Sequence, residues 1–147
     1  MNRIPKDFKE FLQLLNSNDV KYLVVGGYAV GFYGYPRPTG DIDIWVMISK
    51  ENALKIVNSL EEFGFSSAKL SENIFLEERK LVRLGNPPLR IELMTSATGV
   101  SFEECYERKV VAEIDGVKIN FISLNDLKRN KKAIGAHKDL NDLEKLP

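Results

Sequence analysis

Two spacings of apolar residues divide the chain into helices and strands. Four apolar residues between positions 8 and 15 recur three and four residues apart, which predicts an amphipathic helix over about residues 5–17. The apolar run YLVV at Tyr22–Val25 instead predicts a short buried strand. The chain therefore begins with a helix followed by a strand.

Turn signals separate the elements that follow. Two adjacent glycines close the first strand, and a short helix is predicted over residues 28–35. Two prolines then predict an extended loop that leads into a strand beginning near Asp41. Ser49 is a favourable N-cap for a helix that continues to about Phe63.

The second half of the chain adds strands and a polar tail. Residues 74–84 fit neither period clearly, whereas residues 89–94 predict a strand. The segment VVAEIDGVKINFI predicts a hairpin that turns at Asp115 and Gly116. From Leu124 onward the pattern is helical and polar.

This order of elements predicts an α/β or α+β fold, in which a small mixed β-sheet is covered mainly on one side by helices. A length of 147 residues suits one domain over residues 1–147. We expect its core at about residues 1–122 and a helical segment at about 123–147. With 44% hydrophobic and 29% charged residues, the composition is that of a globular protein.

Charge and apolar length limit the partners of the chain. Lys and Arg together number 21, as do Asp and Glu, so no global field favours nucleic acid or a membrane. The charged N-terminus and the lack of a long apolar run predict a protein with no secretory signal and no membrane span. We therefore expect a cytoplasmic location.

The sequence DIDI, residues 41–44, carries the clearest candidate chemistry. Residues two apart in a strand project from the same face, so Asp41 and Asp43 point to one place, about 6 to 7 Å apart along the strand. Two facing carboxylates repel each other unless a cation lies between them, and their oxygens suit Mg²⁺ or Mn²⁺. The alternative is an edge strand that carries outward acids.

Two further features favour a metal and phosphate site. Gly26 and Gly27 lie at a predicted strand-to-helix junction, where free N–H groups and the missing Cβ leave room for a phosphate. Glu92 is the only acid in the apolar segment LRIELM. If its strand lies beside that of Asp43, three carboxylates could hold two ions for nucleotidyl or phosphoryl transfer.

The remaining polar residues can be interpreted as structural or as functional. Arg37 shapes the proline loop together with Thr39, or it pairs with phosphate oxygens. Five basic residues between positions 128 and 138 are typical of a solvated helical face. The single histidine, His137, gives no support to a zinc site or a Ser-His-Asp relay.

The order of these motifs resembles a known family. Gly-Gly, R-x-T-x-D-I-D, a strand acid and NKKAIGAHKDLNDLEKL are similar to the small nucleotidyltransferases related to AbiEii-type toxins, within the DNA polymerase β-like superfamily. The resemblance covers nearly the whole chain. It implies an enzyme that moves an NMP from an NTP to a hydroxyl acceptor with Mg²⁺ or Mn²⁺, in the setting of a toxin–antitoxin pair with a cognate antitoxin or regulator.

The resemblance also implies roles for particular residues. Gly26 and Gly27 would face the nucleotide phosphates, while Asp41, Asp43 and Glu92 would bind the metal and act in catalysis.

Other positions would complete the nucleotide site. Arg37 and Thr39 match the loop positions of the family. Lys131, with Lys132 as a competing register, matches a lysine that precedes a short turn, and Asp139 matches an acid in the following helix.

Two departures from the family pattern keep other functions open. Glu92 stands where the family more often has Asp, and Gly135-Ala136-His137 replaces a Gly-Arg-Pro turn. The alternatives are a nucleotidyltransferase acting on a small molecule such as an antibiotic, and an inactive nucleotide-binding or antitoxin-like partner. The acceptor could be tRNA, a protein or a small molecule.

Overall fold

The computed structural model describes residues 4–36, 39–65, 71–85 and 88–147. Within these ranges the α-helices are α1 (Lys6–Ser17), α2 (Gly26–Phe32), α3 (Lys50–Phe63), α4 (Phe102–Glu107), α5 (Leu124–Ile134) and α6 (His137–Lys145). The strands are β1 (Tyr22–Val25), β2 (Asp41–Val46), β3 (Leu81–Leu84), β4 (Arg90–Met94), β5 (Val110–Ile114) and β6 (Val117–Phe121), and a 3-10 helix spans Glu72–Leu76. None of the helices described is both long and apolar enough to cross a membrane.

The strands form one mixed sheet in the order β3-β4-β2-β1-β6-β5. β2 pairs parallel with β4 and antiparallel with β1, and β1 pairs parallel with β6. The antiparallel pairs β3–β4 and β5–β6 form the two edges. The predicted fold class, a small mixed sheet with helices, is confirmed.

Apolar alternation decides which face of the central strand carries the acids. In β2, Ile42 and Ile44 are buried, whereas Asp41 and Asp43 are only partly buried on the opposite face. Helix α1 adds its own buried stripe to the core, made of Phe8, Phe11, Leu12 and Leu15. Because exposing the isoleucines would be costly, the register of β2 is fixed, and the acids keep their shared face.

Several predicted boundaries agree with the structure. Ser49 caps α3 by accepting a hydrogen bond from the backbone N–H of Asn52 at 3.1 Å, and Gly64 follows the helix with φ 108°. The predicted hairpin turns at Asp115 and Gly116, which have φ values of 52° and 80°. These are the left-handed conformations that a two-residue hairpin turn requires.

Short elements differ most from the prediction. α2 begins at Gly26 rather than at residue 28, so both glycines lie in its first turn. Of the ambiguous residues 74–84, residues 74–76 belong to the 3-10 helix and residues 81–84 form β3. Helix α4 was not predicted, because six residues are too few to show a helical period. Its Phe102 packs edge-to-face on Trp45, with ring centroids 5.1 Å apart.

A buried asparagine joins α3 to the strands that carry the acids. Asn52 is 3% exposed. Its Oδ1 accepts the N–H of Lys21 at 2.8 Å, and its Nδ2 donates to the carbonyls of Lys21 at 3.1 Å and Met47 at 2.9 Å. Lys21 precedes β1 and Met47 follows β2. The side chain therefore holds this antiparallel pair at the end opposite Asp43.

Replacing this side chain should destabilise the fold. Asn52→Ala removes the partner of the Lys21 N–H and of the Met47 carbonyl, whereas the Lys21 carbonyl keeps the N–H of Met47 at 3.2 Å. We expect the substitution to lower the free energy of unfolding by about 2 to 4 kcal/mol. Chemical denaturation measures this change. The exposed Asn73 is the matched control, and Asn73→Ala should change the free energy by less than about 0.5 kcal/mol. Equal effects of the two substitutions would show that the Asn52 bridge contributes nothing.

Candidate active site

Strands β2 and β4 place two acids side by side. Their parallel pairing sets Asp43 opposite Glu92, and directly opposite residues in a sheet project from the same face. A side-chain hydrogen bond with Glu92 raises the pKa of Asp43, so it favours the protonated form of Asp43. The acid in LRIELM is thus the immediate neighbour of Asp43.

Arginines hold the outer acids. Nε of Arg90, which lies opposite Asp41 in the sheet, is 3.1 Å from Oδ1 of Asp41. Nε of Arg83, on β3, donates to Oε1 of Glu92 at 2.9 Å. In the described part of the chain, no three His, Cys, Asp or Glu side chains are grouped so that they could hold a metal ion. The predicted cluster of three acids is therefore reduced to one close pair, with Asp41 turned to an arginine.

The carboxyl group of Asp43 has a raised pKa. Burial, the hydrogen bond with Glu92 and the negative charges of Glu92 and Asp41 raise its pKa from an ordinary 3.8 to about 7. Lys138 lowers the pKa of Asp43, but its effect is the smallest of these. The pair therefore resists carrying two negative charges at neutral pH unless a further positive charge approaches it.

Gly26 makes room for this acid. Its φ is 67°, a left-handed conformation that favours glycine, and a Cβ built on it would lie 2.1 Å from Oδ2 of Asp43. From the sequence, we expect a glycine here so that a phosphate can approach the backbone. The structure adds a second reason, since any side chain at this position would displace the Asp43 carboxylate.

A cavity of about 260 Å³ opens beside the pair. It is lined by residues of β1, α2, β2, β4, the loop after β4, α5 and α6, namely Val25, Gly26, Gly27, Asp43, Met94, Ser96, Ala97, Thr98, Asn130, Lys131, Ile134, Lys138 and Asp139. Five of the predicted site residues line this cavity, namely Gly26, Gly27, Asp43, Lys131 and Asp139.

Lys131 lies in a buried ion cluster on the cavity wall. It is 3% exposed, and its Nζ is 3.0 Å from Oδ1 of Asp139 and 3.1 Å from Oδ2 of Asp142. Gly135, with φ 70°, ends α5 and allows α6 to fold back. The cluster joins the two helices, and the basic run is therefore not uniformly a solvated face.

Lys138 is a site residue that the sequence analysis did not single out. It is exposed, lines the cavity and acts electrostatically on Asp43. Asn130 also lines the cavity, and its Nδ2 donates to the carbonyl of Thr98 at 2.9 Å. The available signal was the position of Lys138 directly before Asp139, at the start of the last helix.

The loop before β2 contributes less. Thr39 Oγ1 donates to the backbone carbonyl of Asp41 at 3.1 Å, so its hydroxyl shapes the entry into the strand and does not line the cavity. Arg37 lies outside the described residues.

Comparison with known proteins gives a family. Residues 3–146 match the family described as nucleotidyltransferase of unknown function, DUF6036. A comparison with curated protein sequences finds no match.

Solved structures share the architecture. A protein from Thermotoga maritima assigned to the nucleotidyltransferases aligns with a TM-score of 0.65 and 19% identity, over 98% of this chain and 94% of that one. An antigenic nucleotidyltransferase-like protein from Paracoccidioides brasiliensis gives 0.55 and 20%, over 93% and 72%. A lincosamide antibiotic adenylyltransferase with bound lincomycin gives 0.58 and 16%, over 98% and 96%. Identities this low support the fold alone.

The mixed sheet and its helices are those of a nucleotidyltransferase. The chain belongs to the DUF6036 family of nucleotidyltransferases, which spans almost all of its length. The predicted enzyme class is confirmed by this membership.

Neutralising Asp43 should stabilise the metal-free protein at neutral pH. A raised pKa means that the folded state binds this proton more tightly than the unfolded state, so the group's contribution is complete below pH 4 and is lost as the pH rises through 7. We expect Asp43→Asn to exceed the parent protein in unfolding free energy at pH 8 in EDTA, by up to about 4 kcal/mol.

The difference should shrink as the pH falls towards 4, and thermal unfolding across this range measures it. Glu107→Gln, at an exposed position outside the cavity, is the control and should show no such trend. A parent protein that is equally or more stable than Asp43→Asn at pH 8 would contradict the raised pKa of Asp43.

Proposed function

We propose that the protein transfers a nucleoside monophosphate from an NTP to a hydroxyl acceptor, with Mg²⁺ or Mn²⁺ bound at Asp43 and Glu92. The observation that carries this proposal is the in-register acidic pair, because it adjoins a cavity lined by Gly26 and Lys138. Family membership supplies the class of reaction.

The donor set suits a divalent metal. Carboxylate oxygens are the ligands that Mg²⁺ and Mn²⁺ prefer, and a cation between Asp43 and Glu92 would relieve their repulsion. Asp41 is the third candidate ligand, and its use requires that its ion pair with Arg90 open. When bound, such an ion supplies positive charge at the transferred phosphoryl group.

The chain's own residues would mainly position and neutralise the nucleotide. We assign the phosphates to the backbone N–H groups of Gly26 and Gly27, and the triphosphate charge to Lys138. The acceptor oxygen forms its bond to the α-phosphorus near Glu92 as the bond to pyrophosphate breaks. Alignment and fixed charge are the main sources of rate enhancement in such reactions. Arg37 and Thr39 stay predicted nucleotide contacts.

Lys131 has a different task in this proposal. Its charge is already balanced by Asp139 and Asp142, so we assign it to holding α6 where Lys138 faces Asp43. Direct nucleotide contacts by Lys131 and Asp139, with Lys132 as the other register, stay predictions of the family resemblance.

The biological role is a finer proposal. The motifs of the C-terminal segment support the AbiEii-type resemblance, and with it a cytoplasmic toxin–antitoxin component that modifies tRNA or protein and is controlled by a cognate antitoxin or regulator. The resemblance in fold to a lincosamide adenylyltransferase, over 98% of this chain, favours the alternative of a small-molecule acceptor. The ion pairs of Arg83 with Glu92 and of Arg90 with Asp41 favour the alternative of an inactive nucleotide-binding partner, because they engage two of the three candidate metal ligands.

Metal binding tests the proposal first. Asp43→Asn removes a negative charge without changing side-chain shape, so we expect it to abolish Mn²⁺ binding in calorimetric titration and to leave the fold intact. Transfer of label from radioactive NTPs to a fraction of cell extract should disappear with it. Glu107→Gln is the matched control. Unchanged Mn²⁺ affinity in Asp43→Asn would refute the proposed metal site, and metal-dependent NTP binding without label transfer would identify the inactive alternative.

Lysine substitutions test the triphosphate contact. Lys138→Ala should weaken NTP binding about five- to thirtyfold, since a partly exposed charge-assisted contact contributes about 1 to 2 kcal/mol. NMP binding should change less, because an NMP lacks the β- and γ-phosphates. Exposed Lys132 is the matched control, and equilibrium binding of both nucleotides is the measurement. A larger loss in Lys132→Ala than in Lys138→Ala would transfer the role to Lys132.

A further inference from the structure

A second cavity lies next to the candidate active site. Its volume is about 520 Å³, and it shares the lining residues Ser96 and Ala97 with the cavity beside Asp43. Trp45 lines it from β2, two residues after Asp43 and therefore on the same face of the strand. We name it the Trp45 cavity. The two cavities meet at the loop that follows β4.

The walls of the Trp45 cavity combine apolar and polar residues, and its charged residues are acidic. Trp45, Leu76 and Phe102 are the large apolar residues of the lining, and Glu78 and Glu103 are exposed. Neither glutamate forms an ion pair within the part of the chain that the structure describes, and the described lining contains no Lys or Arg. A ligand with an apolar body and a positive charge complements this lining.

The indole N–H of Trp45 is enclosed by the fold. Trp45 is 2% exposed, and its Nε1 is buried with no hydrogen-bond partner among the described residues. An indole N–H can only donate, and a buried donor without an acceptor is unfavourable by about 1 to 3 kcal/mol.

We infer that the Trp45 cavity binds the acceptor substrate, and that this acceptor is a small amphipathic molecule that carries an amine and hydroxyl groups. The inference rests on the proposed function and names its acceptor class. The amine would lie near Glu78 and Glu103, the apolar part against Trp45, and a hydroxyl towards Asp43.

The reaction that follows is a simple transfer. The acceptor's hydroxyl oxygen bonds to the α-phosphorus of the NTP, the bond to pyrophosphate breaks, and the hydroxyl proton is released to a carboxylate or to water. The product is a phosphodiester of the acceptor, and no oxidant or reductant takes part.

Charge argues against a nucleic-acid acceptor at this surface. Polynucleotides bind where Lys and Arg neutralise phosphates, whereas Glu78 and Glu103 would repel them. An amine is attracted by the same two charges. The experiment must therefore be able to detect binding of RNA at this surface.

The cavity contains its own reporter, because Trp45 is the only tryptophan of the chain. We would titrate the protein with N-hexylglucamine, a hydroxylated amine with an alkyl tail, and record tryptophan fluorescence at low ionic strength. N-hexanoylglucamine, the neutral amide of the same length, is the matched ligand. We expect saturable binding of the amine, with the amide about fivefold weaker because it lacks the charge.

Variants locate the charge effect. The double variant Glu78→Gln and Glu103→Gln should lower the affinity for the amine to that for the amide. Glu107→Gln is the control, because Glu107 is exposed at the end of α4 and does not line the cavity; it should keep the preference. No saturable fluorescence change, equal affinity for the two ligands, or displacement of the amine by a short single-stranded RNA would overturn the inference.

This titration needs neither metal nor NTP, so its failure can be distinguished from failure of the proposed function. A parent protein that binds Mn²⁺ and NTP but not the amine contradicts the inference alone. A parent protein that binds the amine but neither Mn²⁺ nor NTP contradicts the proposed function alone. When both bind, incubation with ATP and Mn²⁺ should yield the amine increased by one AMP, read by mass spectrometry. A product on RNA alone would overturn the inference.

Discussion

The contact between Asp43 and Glu92 is the constraint on which the site depends. Parallel pairing of β2 with β4 sets the two acids opposite each other, and the buried isoleucines of β2 prevent the strand from shifting its register. The fold therefore holds two carboxyl groups together although they repel each other. Gly26 follows from the same contact, since only a residue without a side chain fits against Asp43.

Positive charges around the pair fall into two groups. Arg83 and Arg90 contact the outer acids directly and balance them in the metal-free protein. Lys138 faces the cavity from α6, and the buried cluster of Lys131 with two aspartates holds that helix in place. Removing one partner from a buried ion cluster leaves an uncompensated charge. The stability of the Lys131 cluster therefore affects both the fold and the position of Lys138.

Local sequence patterns could predict the helices, strands and turns, but not the contacts between them. The period of α1, the alternation in DIDI and the Asp115-Gly116 turn depend on neighbouring residues, so the sequence alone predicted them. The contact of Glu92 with Asp43 depends on strand order, and it could be expected only on condition that the strands were adjacent. The ion pairs of Lys131 could not be foreseen, because they require the turn at Gly135 to bring α6 against α5. Helix α4 was missed for a different reason, since its six residues are too few to show a helical period.

The most direct test of this account is a crystal structure with Mn²⁺, in which anomalous scattering locates the ion. We expect one Mn²⁺ in direct contact with carboxylate oxygens of both Asp43 and Glu92, and no hydrogen bond between these two side chains. Crystals of Asp43→Asn grown in the same solution should lack this peak. Saturating Mn²⁺ that leaves the Asp43–Glu92 hydrogen bond intact, or that binds only elsewhere, would contradict a metal-dependent transfer at this pair.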